Sequence, residues 1–316
     1  MKRALVVLIA LLAALVVLPP LYYAVFPYEA GPALPPPGQR VILPGGVGVN
    51  VIEEGEGPPV VLSHGLPGSA YDWRALLPEI AERGYRAIAY GRVGYGHSDP
   101  RPGGDYTPEA NARELNGLLE ALGLEDVTLV GWSYGGMVAM LAALENPSRI
   151  ARVVLMGTGG PDSPEAEPPE PPFIMTLMNS EPVLRWRWAV PSTGVALMRA
   201  GSDAVFSGGP QPDWWLEGLR ANFERWETLM AYTREMSGVA GASIDATFNP
   251  ESILQPVLIL HGDDDRAAPV EIGRYLHTVI PRSELIEIEG GSHMLPVTHA
   301  PEMADRIAAF AAPGSD

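Results

Sequence analysis

Short apolar runs alternate with amphipathic stretches along most of this chain, and that alternation is what most limits its fold. "VNVIEEG" (Val49–Gly55), "PPVVLSHG" (Pro58–Gly65), "RAIAY" (Arg86–Tyr90), "DVTLVGW" (Asp126–Trp132), "RVVLMG" (Arg152–Gly157), "PVLILHG" (Pro256–Gly262) and "SELIEIEGG" (Ser283–Gly291) read as strands. Most are apolar at successive positions, as strands covered on both faces are. Between them lie segments with helical spacing: Asp72–Gly84, a segment opened by Thr107-Pro108-Glu109, Tyr134–Pro147, Pro269–Ile280 and Pro301–Phe310. Thr107 is a suitable N-cap, and Pro108 suits the first helical position. Strands alternating with helices predict an α/β fold, a mostly parallel sheet covered on both faces.

The rhythm breaks once. From Pro161 to about Asn249 a proline- and acid-rich run, "PDSPEAEPPEPP", precedes pieces rich in Trp and Met. This stretch reads as an inserted helical cap, residues 161–249, between a first core part (41–160) and a second (250–316).

The first residues stand apart. Lys2 and Arg3 precede the apolar run Ala4–Leu18, followed by Pro19-Pro20 and "LYYAVF" to Phe26. Basic residues ahead of an apolar stretch fit an N-terminal signal anchor or signal peptide over residues 1–26. Proline-rich residues 27–40 then form a linker. The expectation is a membrane-anchored protein with the bulk of the chain periplasmic or at the cell surface, or a secreted one if the segment is cleaved.

Charge and cysteine content exclude several classes. The formal net charge is −17, and Lys2 is the only lysine. Such a chain repels nucleic acid; the expected partner is a small molecule. There is no cysteine, which excludes disulfides, thiol catalysis and Cys-based metal sites.

Within "LVGWSYGGMVAM" a serine stands between two glycines, Gly131-Trp132-Ser133-Tyr134-Gly135, where a strand passes into a helix. G-x-S-x-G in that context is a nucleophile elbow. Its tight turn needs small neighbours, and the N–H of Tyr134, after the nucleophile, points where an oxyanion forms. A serine nucleophile needs a base and an orienting acid, in the chain order Ser, acid, His. His293 in "GGSHMLP" follows the last strand and is the expected base. The acid lies among Asp263, Asp264 and Asp265, after strand "PVLIL".

With these residues the chain resembles the α/β-hydrolase family, in the cap-bearing branch that includes epoxide hydrolases, haloalkane dehalogenases, esterases and C–C hydrolases. "HGLPGSAYDW" (His64–Trp73), "GRVGYGHSD" (Gly91–Asp99), "GWSYGG" (Gly131–Gly136), "HGDDDRAAP" (His261–Pro269) and "GGSHM" (Gly290–Met294) fall in that family's order. The resemblance implies Asp265 as the acid, from Gly-x-x-Asp at Gly262–Asp265. It also implies Leu66 as the second oxyanion donor. Two departures stand out. The elbow carries Ser133 where epoxide hydrolases and dehalogenases carry aspartate, and Gly91 precedes Arg92 in a loop where the family often has an aspartate nearby.

The expected activity is hydrolysis of a small, apolar carboxylic ester or lactone through an acyl-enzyme, with no metal or organic cofactor. A C–C hydrolase or an amidase/aminopeptidase on the same triad is the alternative, and a non-catalytic ligand-binding protein the alternative of another class. Trp186, Trp188, Trp214, Trp215 and Trp226, with Phe173, Phe206, Phe223 and Met175, Met178, Met198, Met230 and Met236, either line the substrate site or pack the cap.

Overall fold

The computed structural model of the protein describes residues 2–25, 38–101, 104–160, 201–241 and 249–312, with Ser180, Pro182, Val183 and Trp186. Phe173, Met175, Met178, Trp188 and Met198 lie outside the described residues.

Eight strands form one sheet: β1 (Gln39–Ile42), β2 (Gly48–Glu54), β3 (Pro59–Ser63), β4 (Arg86–Tyr90), β5 (Val127–Trp132), β6 (Ile150–Met156), β7 (Val257–Gly262) and β8 (Ser283–Ile288). Their order is β1-β2-β4-β3-β5-β6-β7-β8. The pairs β1/β2 and β2/β4 are antiparallel, and all others are parallel. The α/β class and the mostly parallel sheet are as the alternating pattern implies. β1 is an addition: Gln39 and Arg40, in the stretch read as linker, pair with Val51 and Asn50. Exposed on three of its four residues, it lacks the apolar run that marks the central strands.

Among the described residues the helices are α1 (Lys2–Val25), α2 (Leu76–Glu82), α3 (Pro108–Ala121), α4 (Tyr134–Glu145), α5 (Asp213–Phe223), α6 (Trp226–Gly241), α7 (Val270–Val279), α8 (Leu295–Thr298) and α9 (Ala300–Ala311). Strand residues alternate between two packed layers, because successive side chains point to opposite faces. Val61, Leu129, Val153 and Ile259 join α3, α4 and α7 on one face. Val60, Leu62, Val130, Val154 and Leu258 join α2 and α9 on the other. Helix α4 is buried from Tyr134 through Ala143, as a helix apolar all round must be. Thr107 caps α3 by accepting the Ala110 N–H (3.3 Å), with Pro108 next.

The stretch expected as one helix over Asp72–Gly84 is divided. Ser69 and Asp72 form a capping box that opens a 3-10 turn over Ala70–Trp73, and α2 follows from Leu76. A polar pair bonding to local backbone competes with a continuous helix there.

The membrane expectation is corrected. Among the described residues no helix is long and apolar enough to cross a membrane. Helix α1 carries Pro19 and Pro20 in its interior. The apolar run ahead of them, Ala4–Leu18, reaches about 22 Å at ~1.5 Å per residue, short of a hydrocarbon core of about 30 Å. The Trp186 indole N–H instead donates to the Val16 carbonyl (2.6 Å). The placement at a membrane with the rest of the chain extracytoplasmic, which rested on such a span, is withdrawn.

Candidate active site

Because β3 through β8 run parallel, the loops after them emerge at one edge of the sheet. Leu66 follows β3, Arg92 follows β4, Ser133 follows β5, Asp265 follows β7 and His293 follows β8. Cross-links at this edge fix the loops to one another. The Ser133 N–H donates to the Met156 carbonyl (3.0 Å) and the Gly157 N–H to the Leu260 carbonyl (2.9 Å).

Ser133 itself has φ 55° and ψ −125°, a conformation that costs a non-glycine residue about 1–3 kcal/mol. The surroundings hold it there. A Cβ on Gly131 would stand 2.4 Å from the Gly135 carbonyl oxygen, and one on Gly135 would stand 2.1 Å from that of Ser63. The two glycines are therefore required by close backbone approach. A Cβ at Gly136 would meet Thr158 Oγ1 at 2.0 Å.

Ser133 Oγ is 2.9 Å from His293 Nε2, and His293 Nδ1 is 2.7 Å from Asp265 Oδ2. The carboxylate accepts, so Nδ1 carries the proton and Nε2 is left to accept from the serine hydroxyl. The other Asp265 oxygen, Oδ1, accepts the N–H groups of Ala267 (2.9 Å) and Ala268 (2.8 Å). The carboxylate is thus oriented by three donors. Asp263 and Asp264 are exposed. Asp263 accepts the Gly290 N–H (2.7 Å), and Asp264 pairs with Arg266 (3.1 Å).

Further residues complete the setting. Trp132 donates its indole N–H to the His293 carbonyl (2.8 Å). Gly157 leaves room for the Asp265–His293 pair, since a Cβ there would stand 3.2 Å from Asp265 Oδ2 and 3.4 Å from His293 Nδ1. His261 is buried and donates or accepts nothing at the serine. Its Nε2 reaches the Ala268 carbonyl at 2.8 Å and lies 3.6 Å from Asp265 Oδ2. Burial holds its imidazole below the ordinary histidine pKa, so it sits as a neutral donor beneath the acid.

Leu66 and Tyr134 flank the serine from two sides. Gly65, before Leu66, packs so closely that a Cβ on it would be 3.0 Å from the Ser133 Cβ. Tyr134 is the first residue of α4, so its N–H has no partner within the helix. Behind them lies a polar cluster that ties these two motif loops to Glu235, a residue no sequence motif announces. Arg92 and Glu235 are paired at 3.0 Å with side chains 1% and 0% exposed. Burial and the Arg92 charge hold the His64 imidazole well below its usual pKa. Its Nε2 accepts the Arg92 N–H (3.0 Å) and its Nδ1 faces the Gly65 carbonyl (2.8 Å). Gly91 has a local reason as well. A Cβ there would stand 3.0 Å from Ser98 Oγ, which bonds the Gly91 carbonyl (2.6 Å) and accepts the Asn50 N–H (2.9 Å).

The alpha/beta hydrolase fold model matches residues 58–188. The 2-hydroxy-6-oxo-2,4-heptadienoate hydrolase of Pseudomonas putida is 32% identical over 257 residues, covering 78% of this chain and 86% of that protein. The chain belongs to the α/β-hydrolase family. A second relative of this α/β hydrolase, the non-heme chloroperoxidase CPO-A1 of Kitasatospora aureofaciens, is 32% identical over 261 residues, covering 78% of this chain and 89% of its own. In structure the α/β hydrolase is similar to an esterase from Exiguobacterium antarcticum, with a TM-score of 0.72 and 21% identity, over 87% of this chain and 99% of that one. That last likeness speaks for the fold alone.

The aromatic residues of the segment between β6 and β7 pack where they are described. Phe206 and Trp215 stack edge to face (4.9 Å) within the α2/α9 layer. Phe223 meets Tyr232 (5.4 Å), and Trp214 meets Tyr71 (5.8 Å).

Proposed function

We propose that this protein is a serine hydrolase that cleaves a small, apolar carboxylic ester or lactone through an acyl-enzyme. The observation that carries this reading is the relay from Ser133 Oγ to His293 Nε2 (2.9 Å) and from His293 Nδ1 to Asp265 Oδ2 (2.7 Å). His293 takes the serine proton as Ser133 Oγ bonds to the substrate carbonyl carbon. Asp265 keeps the imidazole in the tautomer that can accept and stabilises the imidazolium. The N–H groups of Leu66 and Tyr134 receive the oxyanion; one such donor is worth roughly 3–4 kcal/mol in acyl transfer. The imidazolium then protonates the departing alkoxide, and a water deprotonated by His293 releases the acid. Serine at the elbow favours this acyl chemistry over the alkyl-ester route that an aspartate there supports.

One relative supports a second reading. A chain 32% identical to a 2-hydroxy-6-oxo-2,4-heptadienoate hydrolase could direct the same serine and base at a C–C bond beside a ketone. The deciding experiment offers the full-length protein a panel of short- and medium-chain esters, lactones and that dienoate, with Ser133→Ala in parallel. Ester or lactone turnover lost in the variant supports the first reading. Cleavage of the dienoate alone replaces it with the second.

A further inference from the structure

The buried pair Arg92–Glu235 joins two parts of the chain that the serine mechanism treats separately. Glu235 lies on α6, in the segment inserted between β6 and β7, and Arg92 in the loop after β4. Each Glu235 oxygen is fully used. Oε1 accepts from Asn111 Nδ2 (2.8 Å) and Arg92 Nε (3.3 Å), and Oε2 accepts from Arg92 Nη2 (3.0 Å) and the Tyr95 hydroxyl (2.6 Å).

Both partners pass the connection on to the residues flanking Ser133. Arg92 Nη1 donates to the His64 carbonyl, and Nη2 donates to the Gly65 carbonyl (3.2 Å). Those two peptides lead directly into Leu66. Asn111 Nδ2 also donates to the Tyr134 hydroxyl (3.0 Å), and the Arg92 guanidinium lies over the Tyr134 ring (4.8 Å from its centroid). One carboxylate therefore reaches, through one intermediary each, the two residues that supply the oxyanion donors. A second contact acts on the same loop. Asn222 on α5 donates to the Gly68 carbonyl (2.8 Å) and accepts the Gly96 N–H (2.9 Å).

A buried ion pair is a poor source of stability, because desolvation offsets most of its attraction. What a fully satisfied network does supply is a single geometry. Oxyanion stabilisation depends on geometry more than on any other element of the site, since its donors must already be aimed when charge develops. We propose that Glu235 is a positioning residue through which the inserted helices hold the oxyanion hole in register. Arg92 transmits this to Leu66, and Asn111 to Tyr134. The hole is then ordered only while α6 is seated on the core. The inference rests on the serine-hydrolase reading above.

The test uses the full-length protein and a fluorophosphonate probe. The Ser133 oxygen bonds to phosphorus, fluoride leaves, the hydroxyl proton passes to His293, and the phosphoryl oxygen occupies the hole. Its second-order rate needs no knowledge of the natural substrate. Glu235→Gln, which keeps size and one acceptor, should slow labelling by about 30- to 100-fold, below the full loss of a donor. It should lower kcat on a cleaved ester by a similar factor with KM within about threefold. Tyr95→Phe, which removes a single hydroxyl from Oε2, should slow labelling by about 3- to 10-fold. Labelling by Glu235→Gln within twofold of the parent overturns the proposal, as does a raised KM with kcat intact, which marks a substrate contact instead. If Glu235→Gln loses its circular-dichroism signature, unchanged labelling in Tyr95→Phe overturns it equally. Absence of labelling in the parent protein removes the nucleophile reading, and this inference with it, whereas labelling that ignores both substitutions removes this inference alone.

Discussion

Trp132 and His293, neighbours of one another only in the folded chain, are joined by a hydrogen bond from the indole Nε1 to the His293 carbonyl (2.8 Å), with ring centroids 5.5 Å apart. The residue just before the proposed nucleophile thus grips the main chain of the proposed base. Trp132→Phe keeps an aromatic ring and removes that N–H. It should lower kcat by about tenfold with little change in KM, because a loosened base is misplaced more often than substrate is lost. Steady-state kinetics on a cleaved ester read this directly, and equal effects on kcat and stability with no KM-against-kcat split would count against it.

Ser133→Ala should reduce turnover by several orders of magnitude, by analogy with triad serines elsewhere. Peptide mapping after fluorophosphonate treatment should find the adduct on Ser133. An adduct on any other residue contradicts the assignment.

Asp265→Asn should lower the rate by about 10⁴, since an amide at this position favours the wrong imidazole tautomer. Asp263→Asn and Asp264→Asn should each remain within about tenfold, because those side chains are exposed and neither faces the imidazole. Kinetics of the three variants side by side separate the roles. A crippled Asp264→Asn with an active Asp265→Asn would shift the acid by one residue.

Asp72 gives a pH prediction. Burial raises its pKa to about 7, against the Ser69 N–H it accepts (3.0 Å), which lowers it. The unfolded chain releases this proton near pH 4. Between pH 4 and about 7 the folded protein therefore holds more protons than the unfolded one, and stability falls as pH rises. Above about 7 the contribution is flat. Asp72→Asn should remove this slope and raise Tm at pH 8 relative to the parent. Urea titrations from pH 4 to 8 check it, and a variant with the parent's slope rejects it.

Much of the sheet could be read from the chain because its central strands are apolar on both faces. Val60, Val61 and Leu62 are buried together, and a sequence shows such a run plainly. β1 could not be read, since "QRVI" is exposed at an edge and its pairing depends on β2. Ser133 and His293 were legible because each follows a strand, and Asp265 because the family pattern singles it out of three acids. Their spacing of 2.9 and 2.7 Å comes only with the fold. Glu235 was illegible for a different reason. In "YTREMSG" it resembles any solvated helical acid, and what buries it is Arg92, a partner 143 positions away. The apolar N-terminal run misled although Pro19 and Pro20 are plain in the sequence, because the contact from Trp186 comes only with the fold.

The crowding around Ser133 makes position 133 interchangeable in a way its neighbours are not. The backbone is set by Gly131, Gly135 and Gly136, where any added carbon strikes the main chain or Thr158. Position 133 already carries a Cβ in its strained conformation, so the atom proposed to react can be exchanged while the scaffold stays put. Ser133→Cys should melt within about 2 °C of the parent, a shift of roughly 1 kcal/mol for a chain of this size. Gly135→Ala should melt far lower, and calorimetry on the two would reveal any departure. The fold thus behaves as a socket: it accepts a change of chemical tool at one point and tolerates no alteration of the housing around it.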